Sequence, residues 1–568
     1  MTGVHRIAPP ALTALASASP VLAGLGPARL SRHLVQIRAL ADQVRASAAG
    51  AGERAGLDGS LAALVTIQRA AEGPVAELLG APEVGAWSAW CLRRLFGTVS
   101  DAEPLVTDLA HLGALAVTAA VITGRRAEVV VPVRAGWLVL PSLGRFRVTR
   151  APGSALARAR RDDSGLTVDG PDGTMHLAVE RGRPAGAGWE PMHRVRLDAD
   201  PPVGLVIDDI TPYRRLYGYP ASDRLPPEEL DLWRDLVHRA WHRLRGRHRP
   251  WATAFGRLIS VLAPLAPRAT AEGISSTARD SIGAIALTRP VDPRELAVTF
   301  VHELQHNYVN ILHDIGPLFR AGGAERLYSP WRDDPRPVAG LLHGAVAFLG
   351  VADFWRRELG AGDRVAELEF AVTAAQVRIG HRTLMGSAGD LTDAGRALAG
   401  SIGATLDELE AQPVGPAVRR VTRDIVREHR AAWQVAHLPP AEDEVLALLA
   451  GRAVAPGWER PGTVSDQPLV PSRLRQLAQR WLTHADVSGE RDSAMDVAAI
   501  AGRYREAARG YAARLTVDPA DVRAIAGLVV SAERLGPAPV HPQVLAQALR
   551  RTDEAGRAEI LRRWTAPG

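Results

Sequence analysis

Apolar residues recur at three- and four-residue spacing through 30–44, 61–79 and 87–95, which predicts amphipathic helices over most of the first 128 residues. Leu105–Thr123 is apolar enough to suggest a membrane span, but Asp108 and His111 interrupt it, so it reads as a buried helix. From 129 to 210 the period shortens. Runs at 129–133, 136–140, 145–148, 176–179 and 204–207 are β-prone and separated by Gly and Pro turns such as Pro171-Asp172-Gly173. Helical patterning returns from 211 to 400, with one strand-like run at 283–288, and continues through 401–568 with a proline-rich break near 455–471. Within that tail, 502–535 looks like a single tetratricopeptide-type helical hairpin.

The expected architecture is α+β and predominantly helical, in four parts. These are an N-terminal helical region (1–128), a β-rich segment (129–210), a catalytic domain (211–400) and a C-terminal helical region with the TPR-like hairpin (401–568).

The candidate chemistry sits on one helix of the third part. Asp292 is a good N-cap, Pro293 suits the first helical turn, Glu295 completes a capping box, and Gly316-Pro317 stops the helix after Ile315. His302 and His306 then lie at i and i+4 on one face, and Glu303 is one position round. This is the HExxH arrangement, in which two imidazoles converge on one metal ion. The preceding strand suggests a main-chain partner for an extended peptide, through Gly283, Ala284, Ile285 and Ala286. A third ligand is less defined. His343, in the apolar segment 338–355, is the most attractive, with Glu325 and Asp333 or Asp334 as alternatives.

Composition narrows the options. With one cysteine, Cys91, neither a disulfide framework nor a thiolate cage can form, so a metal needs nitrogen and oxygen donors. That usage fits the cytoplasm. The formal charge is +6, with every basic residue an arginine. No arginine run is interleaved with aromatics, so nucleic acid is not an expected partner, and neither is a membrane. The first residues loosely imitate a secretory signal, but Pro9 and Pro10 break a stretch poor in leucine.

Several segments together resemble the HEXXH-motif family of peptide-modifying proteins from bacterial gene clusters for ribosomally made peptides. They are SSTARDSIGAIALTRPVDPRELAVTFVHELQHNYVN and SPWRDDPRPVAGLLHGAVAFLGVADFWR, with RHLVQIRAL, VGAWSAWCLRRL, GWLVLPSLGRF and ITPYRRLYGYP upstream. The resemblance implies an Fe(II)- and 2-oxoglutarate-dependent dioxygenase that hydroxylates the β-carbon of side chains in a precursor peptide. It implies His302, His306 and His343 as ligands, although three histidines depart from the usual two-His-one-carboxylate triad. Asn310 and Asp314 match the family pattern and are expected to anchor the helix or its ligands. The distal carboxylate of 2-oxoglutarate needs a fixed cation, for which Arg279, Arg332 and Arg336 are candidates.

Two alternatives stand beside this reading. In a zinc metallopeptidase, Glu303 would activate a metal-bound water, and Tyr217, Tyr308 or Tyr328 could stabilise the oxyanion. In a non-catalytic peptide-binding protein, the C-terminal helices would dock another modification enzyme.

Overall fold

The computed structural model describes residues 26–199, 202–267, 273–320, 326–360, 362–452, 472–483, 494–536 and 541–565. The signal-like N-terminus, the proline-rich break and Glu325 fall outside these residues. The protein is mixed α+β, helix-rich, with two sheets. It divides into two compact units, the first ending at Ile315 and the second starting at Gly316.

In the first unit, helices Gly26–Ser47, Leu57–Ala70, Pro82–Leu95 and His111–Thr123 share one core with an eight-stranded antiparallel sheet. Its strands are β1 (Ala127–Arg134), β2 (Trp137–Leu140), β3 (Gly144–Arg147), β4 (Ser154–Asp162), β5 (Gly165–Gly170), β6 (Gly173–Glu180), β7 (Arg183–Ala185) and β8 (Trp189–Pro191). They are ordered β7-β6-β5-β4-β1-β2-β3-β8. Trp87, Leu115, Val131 and Val168 are wholly buried in this common core. The boundary expected at 128 therefore does not separate domains: neither the helices nor the sheet has a core of its own. Leu105–Thr123 is 83% buried inside the protein, split into Leu105–Leu109 and His111–Thr123.

A second, five-stranded sheet carries the candidate site. It comprises β9 (His193–Leu197), β10 (Val203–Ile207), β11 (Val261–Pro264), β12 (Ser275–Ser276) and β13 (Ala284–Leu287), in the order β12-β13-β11-β10-β9. β10, β11 and β13 run parallel, and helices Pro227–Arg247 and Arg249–Leu258 make the crossover from β10 to β11. Such strands are covered on both faces, so β13 reads as an unbroken apolar run, with Ala284 to Leu287 all buried. The boundary expected at 210 falls just after β10, inside this unit.

The second unit is helical among its described residues, apart from isolated bridges such as Leu327↔Arg336. The 211–400 region expected as one domain is thus divided after Ile315. Within this unit, Trp331 lies against two helices where Gly344 and Gly380 have no side chain; a Cβ on Gly344 would sit 2.2 Å from the indole nitrogen. The ring also stacks on Phe348 at 5.1 Å. Helices Tyr504–Val517 and Val522–Leu535 pack on one another, with the Tyr511 ring seated against Gly527.

Candidate metal centre

The HExxH helix spans Pro293–Ile315. Asp292 caps it as expected, its Oδ1 accepting from the backbone N–H of Arg294 (2.5 Å) and of Glu295 (3.3 Å). Leu296, Phe300, Leu304 and Tyr308 anchor its buried face, with the Phe300 ring 4.5 Å from Phe255.

This anchoring leaves His302 and His306 side by side on the opposite face. Their Nε2 atoms are 3.2 Å apart and their rings nearly perpendicular, at 81°. Two nitrogens each about 2.1 Å from one ion stand about 3.0 Å apart in an octahedral arrangement and about 3.4 Å in a tetrahedral one. The observed spacing lies between these, so the pair fits two adjacent positions on a single ion. Burial, reinforced by the His306 ring, pushes His302 down to about 4. The ring is therefore neutral at physiological pH, the form that ligates metal. Its side chain keeps 20% of its surface accessible.

Glu303 is 2% exposed, with Oε1 4.0 Å from His302 Nε2. Both its oxygens are engaged: Oε1 accepts from Ser275 Oγ at 2.7 Å and Oε2 from Thr277 Oγ1. Asn307 is wholly buried one position beyond the second histidine. Its Oδ1 accepts from Gly283 N at 2.6 Å, and its Nδ2 donates to Glu303 O at 2.9 Å and Ala284 O at 3.4 Å. The amide thus fixes the helix to the start of β13. Sequence reasoning passed over Ser275, Thr277 and Asn307. Only Asn307 carried a signal, being a polar residue on a face that helical periodicity buries.

Gly283, Ala284, Ile285 and Ala286 are not placed to receive a peptide as an added strand. β13 is interior to the sheet: Val261–Pro264 pairs along one side, and Ser275 and Ser276 pair with Leu287 and Ala286 on the other. The outer strand is β12, whose Ser275 reaches Glu303.

Asp314 lies in the last turn of the HExxH helix. It accepts from Arg279 Nε (2.8 Å) and Nη2 (2.7 Å) and pairs with Arg32 Nε at 3.1 Å. Asn310 is 7% exposed on the same helix. Arg279 thus already has a carboxylate partner. Arg332 and Arg336, in the second unit, both pair with Asp334, at 2.9 and 3.3 Å.

His343 also belongs to the second unit, half-buried on helix Val338–Glu358, and the neighbouring Gly344 is what admits Trp331 beside it. Asp333 is held by His429 and Arg523, each at 3.5 Å. Among the described residues no group of three or more His, Cys, Asp or Glu stands ready to hold an ion. Of the tyrosines considered for an oxyanion, Tyr217 hydrogen-bonds Ser281 at 2.9 Å and Tyr328 hydrogen-bonds His429 at 2.8 Å. Tyr308 is buried against the helix core, and that burial raises its pKa.

No protein-family model matches the sequence, and no curated protein is significantly similar to it.

Proposed function

We propose that this chain is a metalloenzyme that modifies peptides, hydroxylating the β-carbon of a side chain in a ribosomally made precursor with Fe(II) and 2-oxoglutarate. The observation that carries the metal assignment is the 3.2 Å approach of the two Nε2 atoms, with His302 held neutral by burial. The peptide and the cosubstrate rest on the family resemblance of residues 30–356. His302 and His306 hold the ion. Bound iron supplies what side chains lack, the activation of O2. The reaction would place one oxygen atom in the substrate C–H bond as hydroxyl and the other in succinate, with 2-oxoglutarate losing CO2. Arg279, in the same unit as the histidine pair, already forks onto Asp314.

The zinc peptidase alternative asks Glu303 to take a proton from a metal-bound water. The engagement of both its oxygens by Ser275 and Thr277 favours a positioning role for Glu303 instead. The deciding experiment incubates Fe(II)-loaded protein with 2-oxoglutarate, O2 and a precursor peptide. A gain of one oxygen atom in peptide mass, matched by succinate, supports hydroxylation. Cleavage that survives without 2-oxoglutarate supports the peptidase. Protein that retains no metal when purified without chelator supports the non-catalytic reading.

A further inference from the structure

The loop 277–283 between β12 and β13 touches the HExxH helix at both ends. Thr277 Oγ1 donates to Glu303, and Gly283 N donates to Asn307 Oδ1 at 2.6 Å. Glu303 follows His302 in the chain and Asn307 follows His306, so the place of this loop bears on both histidines. Its middle is one short turn, Arg279–Ser281.

Helix Gly26–Ser47 grips that loop with two arginines one turn apart. From a single guanidinium, Arg32 donates to Arg279 O at 2.5 Å and to Asp280 Oδ1 at 2.8 Å, and its Nε pairs with Asp314 Oδ2 at 3.1 Å. It thus ties the loop to the last turn of the HExxH helix. A planar fork can serve three acceptors in this way, whereas an ammonium group is a single point charge. Arg29 donates at 3.1 Å to Leu258 O, the last carbonyl of helix Arg249–Leu258, where a cation also suits the helix dipole. Its Nη1 lies 2.2 Å from where a Cβ on Gly283 would be, so a side chain at Gly283 would displace Arg29, and the φ of +95° there favours glycine as well.

Each aspartate has a second partner: Arg93 pairs with Asp280, and Arg279 with Asp314. Loss of Arg32 would therefore leave neither carboxylate without a counter-ion. What it removes is a bridge between loop and helix. The Arg32, Asp280 and Asp314 side chains are 17, 18 and 14% exposed, so this bridge is shielded from solvent more than a surface ion pair, whose worth is small.

We propose that Arg32, with Arg29 beside it, is a positioning residue for the histidine pair. From the N-terminal helix it holds loop 277–283 against the HExxH helix, which keeps Gly283 on Asn307 and so fixes the turn that carries His306. The inference rests on the metal-site reading of His302 and His306, and it makes a helix remote in sequence part of that site's support.

The test uses full-length, metal-free protein and two readouts. Modification of His302 and His306 by diethyl pyrocarbonate, followed by mass spectrometry, reports how the rings are placed without any metal. Titration with Co(II), followed by absorption, reports metal affinity. Arg32→Gln should change the modification rates and weaken Co(II) binding by roughly tenfold or more. Arg32→Lys, which keeps the charge without the fork, should recover only part of the loss. With Asn307→Ala added to Arg32→Gln, the loss should be no greater than in the worse single variant, because both changes act on one contact. Unchanged rates and affinity in Arg32→Gln, or losses that add in the double variant, would overturn the proposal. So would the same shifts in Val131→Ala, a change in the core of the same unit, since they would then report general loosening. Unaltered protein that binds no Co(II) would remove the metal reading, and the modification rates would still decide the role of Arg32.

Discussion

His302 and His306 approach to 3.2 Å between their Nε2 atoms, while Asn307, the next residue, ties the same helical turn to Gly283. The pair is thus set by two features: the four-residue helical spacing, and a buried amide that fixes the helix against its sheet. An imidazole pair so placed, with His302 neutral, has the spacing of two adjacent ligands on one ion.

Metal should therefore stabilise the folded chain. An ion present at a hundred times its dissociation constant adds about 2.7 kcal/mol. A thermal melt with Co(II) or Zn(II) should show a clear rise in Tm, and His302→Ala or His306→Ala should abolish that rise while leaving the metal-free Tm within a few degrees. A rise that persists in both variants would place the ion elsewhere.

Asn307→Ala removes three hydrogen bonds and leaves the Gly283 N–H without its 2.6 Å acceptor in a buried place. The expected cost is about 2 kcal/mol, read from urea unfolding, with weaker metal binding as well. Asn307→Asp keeps the acceptor and should recover part of the loss. An alanine variant as stable as the parent would mean that this amide does not hold the helix.

Ser275→Ala combined with Thr277→Val frees both oxygens of Glu303. If Glu303 positions the site, peptide hydroxylation should fall while metal content stays unchanged. If Glu303 were the general base of a peptidase, the same change should leave hydrolysis intact or raise it.

Two buried groups bend the pH profile of the first unit in opposite senses. Burial, with the charge of Asp208 added, raises the Glu83 carboxyl from 4.5 to about 8. Glu83 therefore binds its proton more tightly in the folded state, and its contribution to stability is lost as pH rises from about 4.5 through 8. His111 is pushed down from 6.5 to about 3 by burial, with the Arg134 charge adding to it. Its contribution is present above 6.5 and lost as pH falls towards 3. Glu83→Gln should accordingly gain Tm relative to the parent between about pH 5 and pH 8. Parallel melting curves across that range would show that Glu83 does not titrate as placed.

In the second unit, Gly344→Ala drives a methyl group into Trp331, where the nearest ring atoms would be 2.2–2.6 Å away. The overpacking should cost about 1–3 kcal/mol in thermal or urea unfolding. Unchanged stability would mean that the indole moves aside freely.

How much of this was legible in the sequence depended on the range of the contacts involved. The HExxH helix was legible to its ends because its signals are local: Asp292-Pro293 starts it and Gly316-Pro317 stops it. β4 was missed because its inward residues are alanines. Ala157 and Ala159 alternate with arginines, a pattern without the β-branched or aromatic residues that mark a strand. Ser275 and Thr277 lie 28 and 26 residues from Glu303, and no spacing rule reaches that far. The interior place of β13 was hidden for the same reason, since its second neighbour is a two-residue strand with no pattern of its own. The division after Ile315 depends on which helices share a core, a property of packing rather than period.

Assignment of the histidine pair to an iron site open to 2-oxoglutarate is a proposal. It is tested most directly by adding Fe(II) and then 2-oxoglutarate to the metal-free protein without oxygen, and recording visible absorption. A weak charge-transfer band that needs both additions and is absent in His306→Ala is the predicted result. No band in protein that nonetheless binds Fe(II) would contradict the hydroxylase assignment.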